Sequence, residues 1–123
     1  MKPSKPTPNL QLNYCYRDAD NNKRHGEIVL AGTVRSLPAY EQRLRQPMES
    51  RQFFIASQIG VPEVFLTPKG NRDHCWHSFD GVEETTAAPT DPRTPNQLLA
   101  AVAAAEAEGW KDAEPGECYC FGL

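Results

Sequence analysis

No stretch of the 123-residue sequence approaches the roughly 20 consecutive apolar residues of a membrane-spanning helix. The opening MKPSKPTPNL has two lysines but no apolar run behind them. As it stands, then, the sequence predicts no secretory signal peptide. It also lacks a GxSxG nucleophile elbow, a GxGxxG fingerprint, a phosphate-binding P-loop and an HExxH zinc helix. Motif-level grounds for the common hydrolase, nucleotide-binding and metalloprotease chemistries are therefore missing. No internal repeat is visible. Basic residues are scarce in the second half: residues 73–123 carry 2 against 10 acidic ones, while residues 1–72 carry 11 against 6. The net charge of −3 thus divides into +5 and −8. Such asymmetry fits a nucleic-acid surface, a surface for a charged partner, or two faces that complement each other on folding.

What is present belongs to a globular protein. The composition is 39% hydrophobic and 24% charged, away from the disordered range. A chain of this length makes one domain and builds a core without covalent staples. The expected compartment is the cytoplasm, where Cys15, Cys75, Cys118 and Cys120 would be reduced. The 11 prolines gather at the N-terminus and between Pro89 and Pro95. They divide the chain into a flexible tail (1–9), a domain (10–112) and an irregular C-terminal segment (113–123).

From Leu10 to Arg17 apolar and polar residues alternate, Leu10, Leu12, Tyr14 and Tyr16 facing one way. This is the period of a half-buried strand. An Asp- and Asn-rich loop over 18–24 follows, and 26–32 reads as the return strand of an antiparallel hairpin. Ser36, Pro38, Tyr40 and Leu44 mark a helix that Pro47 stops. Residues 53–55 read as strand and 56–59 as a helical turn capped by Gly60. Residues 63–67 and 74–79 are predicted strands. Asp80-Gly81 is predicted as a turn, with a short return strand over 82–86. Thr94, Pro95 and Gln97 form a capping box opening a last helix. Its stripe is Leu98, Leu99, Val102 and Ala105, Gly109 caps it, and Trp110 is expected to fold back on its final turn. The order predicts an α+β single domain: an antiparallel sheet of about four to five strands with two to three helices on one face.

The densest chemistry lies in YCYRDADNNKRHGEIVL, residues 14–30. Asp18, Asp20 and Asn22 match the first ligand positions of a calcium loop. Lys23 then stands where the turn glycine is needed and Val29 where the closing glutamate belongs. A magnesium site completed by carboxylates from elsewhere, or a plain hairpin loop in which the acids pair with Arg17, Lys23 and Arg24, remain as readings. A second cluster is His74-Cys75-Trp76-His77. On a strand Cys75 and His77 share a face, and with Cys118 and Cys120 they make a four-ligand set for zinc. The spacing lacks the usual C-x₂₋₄-C knuckles, however. The alternative makes Cys75 a small buried hydrophobe and Trp76 a core or interface anchor. On a strand the immediate neighbour His74 points away from Cys75, which argues against a thiol nucleophile. Arg17, Lys23, Arg24, Arg35, Arg43, Arg45 and Arg51, with Tyr14, Tyr16 and Tyr40 for stacking, form the candidate nucleic-acid surface. The sequence pI of about 5.6 weighs against it.

Two segments carry a resemblance. Tyr14-Cys15-Tyr16-Arg17-Asp18-Ala19-Asp20-Asn21-Asn22-Lys23 is one. Asp73-His74-Cys75-Trp76-His77-Ser78-Phe79-Asp80, running into Val82-Glu83-Glu84-Thr85, is the other. Together they resemble a set of small uncharacterised bacterial proteins with a YxYRDAxNxK-like hairpin and a DHCWHxFD-like segment. The likeness covers most of residues 12–104 and implies no activity, cofactor or partner.

The functional expectation is a non-enzymatic interaction or accessory protein. Its binding residues are Arg17, Asp18, Asp20, Lys23, Arg24 and Trp76, and its ligand is a protein partner or a second copy. The alternative is a nucleic-acid-directed protein using the 17–24 loop as a phosphate or metal site.

Overall fold

The computed structural model describes residues 8–17, 23–64 and 76–111. The predicted alternation becomes strand β1 (Asn9–Arg17), which hairpins into β2 (Lys23–Leu30). Leu10, Leu12, Tyr14 and Tyr16 are all buried to within 1% on one face. Removing each of these side chains from water contributes roughly 1.5–3 kcal/mol, enough to set the register, since a one-residue slip would expose all four. Next come α1 (Leu37–Arg45), β3 (Phe53–Ile55), the single turn α2 (Ala56–Ile59), β4 (Trp76–Thr85) and α3 (Pro95–Glu108). The four strands form one antiparallel sheet in the order β2-β1-β4-β3. The apolar face of β1 joins Tyr40 and Leu44 of α1, Ala56 and Ile59 of α2, and Leu98, Val102 and Ala105 of α3 in one core. The α+β architecture is as expected.

The helices begin and end on the residues that local chemistry selects. The Ser36 hydroxyl accepts the Ala39 N–H, and Pro38 sits in the first turn of α1. Gly60 closes α2 at φ 76°. Thr94 and Gln97 cap α3 reciprocally. The Tyr40 hydroxyl donates to the Pro95 carbonyl at 2.7 Å and ties α1 to the start of α3. A strap over 90–93 lies along β2: Thr90 and Asp91 N–H groups donate to the Val29 carbonyl, and Ala31 N–H donates to the Arg93 carbonyl. Arg93 then reaches the Ile59 and Gly60 carbonyls while pairing with Asp91 at 2.7 Å, which fastens the strap to the end of α2.

Three local expectations are corrected. Asp80-Gly81 is no turn; β4 runs through it as one strand. The pairing with β1 shifts between Asn13 and Tyr14, Gly81 opposing Asn13 and Phe79 opposing Tyr14, which makes a bulge with Gly81 at φ 139°. A glycine that tolerates positive φ serves a bulge as well as a turn. Here β1 is long enough to pair with both halves of β4, so the bulge wins. Glu63 and Val64 are not strand; the Val64 N–H donates to the His77 side chain instead of a ladder, and 65–67 lie outside the described residues. Trp110 reaches past the last turn of α3 to the end of α1 and the start of β4. It donates to the Pro47 carbonyl at 2.9 Å and packs against Trp76, ring centres 6.2 Å apart.

Candidate functional site at the root of the first hairpin

The face of the sheet opposite the core is polar. Along β1 it carries Gln11, Asn13, Cys15 and Arg17. The β1–β2 register sets Cys15 against His25 and Arg17 against Lys23. On the other flank Cys15 opposes Ser78 of β4, and Asp80 lies two residues further along the same strand at the bulge. Three strands therefore converge on one point through Cys15, His25 and Asp80. The Cys15 thiol points at Asp80 Oδ1, with Sγ 3.9 Å away. His25 Nδ1 lies 3.7 Å from Asp80 Oδ2. All three ligand-type atoms lie within 4.8 Å of one another. Cys15 is buried, whereas the His25 and Asp80 side chains are 72% and 35% exposed. The cluster thus has a covered floor and an open mouth.

Burial pushes the Cys15 thiol up from its ordinary pKa, and the charge and hydrogen bond of Asp80 push the same way; Arg17 and Lys23 offset them in part. A thiol held protonated beside a carboxylate is a poor nucleophile. The three groups do not reproduce a thiol–imidazole pair either, because Cys15 addresses the carboxylate rather than the imidazole. Of the described residues, Cys15, His25 and Asp80 are those whose chemistry and closeness could hold a metal ion.

The expected binding residues fall into three groups. Arg17, Lys23 and Arg24 stand together at the loop end of the hairpin, all exposed, with Arg24 opposite Tyr16. Asp18 and Asp20 lie outside the described residues. Trp76 is half-buried against Trp110, an internal anchor more than a free contact. The basic residues do not form one line: Arg45 pairs with Glu41 at 3.1 Å, donates to the Arg51 carbonyl and lies 4.6 Å over the Phe79 ring. The stacking role given to Tyr14, Tyr16 and Tyr40 is overturned, since all three are in the core. For Tyr14 and Tyr16 the same alternation that predicts the strand turns their rings inward.

His77, one of the expected zinc ligands, is fully buried. Its ring lies among those of Tyr14, Tyr16 and Phe54, at centre distances of 5.5–6.0 Å. Its Nε2 accepts the Val64 N–H at 3.1 Å, so that nitrogen is committed to a backbone bond. Its proposed partners Cys75, Cys118 and Cys120 lie outside the described residues. Cys15, His25 and Asp80 were not singled out as a set from the sequence. A faint signal exists, because Cys15 and His25 are equidistant from Asp20 and a symmetric hairpin pairs them. Asp80 joins only through the bulge.

A groove of about 550 Å³ beside the 90–93 strap is lined by Glu27, Gly60, Pro62 and Arg93. Arg93, which lines it with Glu27 and Asp91, already bonds two carbonyls and Asp91 there. No helix of the described residues is long and apolar enough to cross a membrane. Compared with protein-family models, curated proteins and solved structures, the chain matches none, so its site is read from its own residues.

Proposed function

We propose that the chain is a non-enzymatic interaction or accessory module of the cytoplasm that docks a carboxylate-bearing protein partner through the loop end of its first hairpin. The observation that carries this reading is the register that sets Arg17 beside Lys23 at the end of the sheet's polar face, with Arg24, exposed at the same end, on the opposite face. Clustered cations raise the encounter rate with an acidic surface and set its orientation. A second copy, with Glu83 on the polar face of β4, offers one carboxylate of this kind. The protonation of the Cys15 thiol favours a binding role over thiol chemistry. Phosphates would suit the same cations, but the tyrosines that would have stacked bases are inside.

The test compares wild type with an Arg17→Glu/Arg24→Glu variant, which keeps the Lys23 amine. Carbodiimide cross-linking in host extract, which activates carboxylates for attack by lysine amines, is expected to join Lys23 to acidic segments of one partner or of a second copy, read by mass spectrometry. The variant should lose that product while keeping its circular dichroism spectrum. An identical cross-link pattern in both proteins overturns the reading. Binding of a random DNA duplex with a steep inverse salt dependence, abolished in the variant, transfers the function to nucleic acid.

A further inference from the structure

We infer that Cys15, His25 and Asp80 are the protein ligands of a divalent transition-metal site, zinc being the ion that suits them best, at the root of the β1–β2 hairpin. The argument begins with donor chemistry. A thiol, an imidazole and a carboxylate are the three side-chain donors that zinc accepts, whereas calcium and magnesium take oxygen and reject sulfur. Three different donors also match the usual protein share of an open tetrahedral site, the fourth position being left to water or an incoming group.

Distance comes next. Tetrahedral coordination with Zn–S near 2.3 Å and Zn–N and Zn–O near 2.0 Å places the donors about 3.3–3.6 Å apart. Asp80 Oδ2 stands 3.7 Å from His25 Nδ1 and Asp80 Oδ1 3.9 Å from Cys15 Sγ, and with one ligand atom taken from each residue the three lie within 4.8 Å of one another. Closure therefore needs the donors to draw in by a few tenths of an ångström up to about one. The rigid part of the set is Cys15, central in the sheet and 3% exposed. His25 is mostly exposed and can rotate onto the ion. Asp80 presents one oxygen to each of the other two groups. The bulge is what brings it there, and bulges commonly re-aim a side chain beside a functional site.

Charge follows from the coordination. The ion displaces the thiol proton to solvent, and sulfur binds as thiolate: M²⁺ and Cys15–SH give (M–S–Cys15)⁺ and H⁺. Metal affinity consequently rises with pH. The cation also supplies the positive charge that the buried sulfur and the Asp80 carboxylate lack between them. Bound across β2, β1 and β4, it pins the hairpin to the sheet directly beneath Arg17 and Lys23.

The experiment titrates Co²⁺, then Zn²⁺, into the full chain purified under reducing conditions. The expected result is one ion per chain, with a near-ultraviolet sulfur-to-cobalt charge-transfer band that zinc abolishes. Cys15→Ser should remove the band. His25→Ala and Asp80→Asn, both at exposed positions, should each weaken binding about tenfold or more with the circular dichroism spectrum unchanged. A Cys75→Ser/Cys118→Ser/Cys120→Ser variant should keep the band. Absence of any cobalt band in wild type overturns the inference. So does a band that survives Cys15→Ser and disappears in the triple cysteine variant. Neither result bears on partner docking by Arg17, Lys23 and Arg24, which is read by cross-linking.

Discussion

Gly26 illustrates how one residue can be fixed by a contact that local pattern does not announce. A Cβ built there would come within 2.9 Å of both the Tyr14 ring and Val64 Cγ1. Gly26 opposes Tyr14 across the hairpin, so the close approach is what lets the buried ring lie flat against β2. Gly26→Ala is expected to destabilise by about 1–3 kcal/mol, the usual cost of overpacking, as measured by urea unfolding. Tyr14 itself donates to the Pro62 carbonyl at 2.6 Å. Tyr14→Phe should cost about 1 kcal/mol at neutral pH, leaving that carbonyl without its side-chain donor. Burial pushes the Tyr14 phenol up to about 12 from the ordinary 10. The unfolded chain therefore loses the proton first: this contribution is whole below about pH 10 and is lost as pH climbs towards 12. The gap between wild type and Tyr14→Phe should accordingly narrow over that alkaline range in thermal melts.

At the scale of elements, the 90–93 strap and the last helix depend on side chains that serve the backbone. Hydrogen bonds from Arg93 hold the Asp91 carboxyl below its ordinary pKa, against the opposing effect of burial. The folded state therefore binds the proton less readily than the unfolded chain. This stability is present above about pH 4 and falls away as pH drops through the folded value. Asp91→Asn is expected to cost about 1–3 kcal/mol at pH 7, as for a charge-assisted bond lost, and progressively less in acid. A constant difference across pH would show that Arg93 does not depend on the carboxylate. Thr94→Ala removes the cap that Gln97 N–H uses and should cost about 1 kcal/mol. Thr94→Ser, which retains the hydroxyl, should recover most of it.

On the scale of the whole molecule, both tryptophans report one junction. Trp76 opens β4, Trp110 follows α3, and they meet beside Pro47 at the end of α1. Strands and all three helices share one core, so unfolding should be a single cooperative transition. Tryptophan fluorescence and far-ultraviolet circular dichroism are expected to give coincident urea midpoints. An earlier fluorescence transition would mean that the end of α3 docks independently of the sheet. The two halves of the chain meet in one sheet, where His25 lies 3.7 Å from Asp80 and Asn13 donates to Glu83.

By itself the sequence determined what depends on neighbours along the chain. The alternation in 10–17 decided which face of β1 is buried, because strand period is local. Ser36, Pro38, Gly60 and the Thr94–Gln97 box decided where helices start and stop, because caps satisfy backbone groups within a few residues. The α+β class followed from that order of elements. Only the tertiary structure decided that Asp80-Gly81 is a bulge, since a turn and a bulge use the same glycine and β1 arbitrates between them. It likewise placed His77 in the core beside Val64 and sent Trp110 to Pro47. The Cys15, His25 and Asp80 cluster belongs with these: its members come from three strands, and a register shift of one residue on β4 aims the carboxylate.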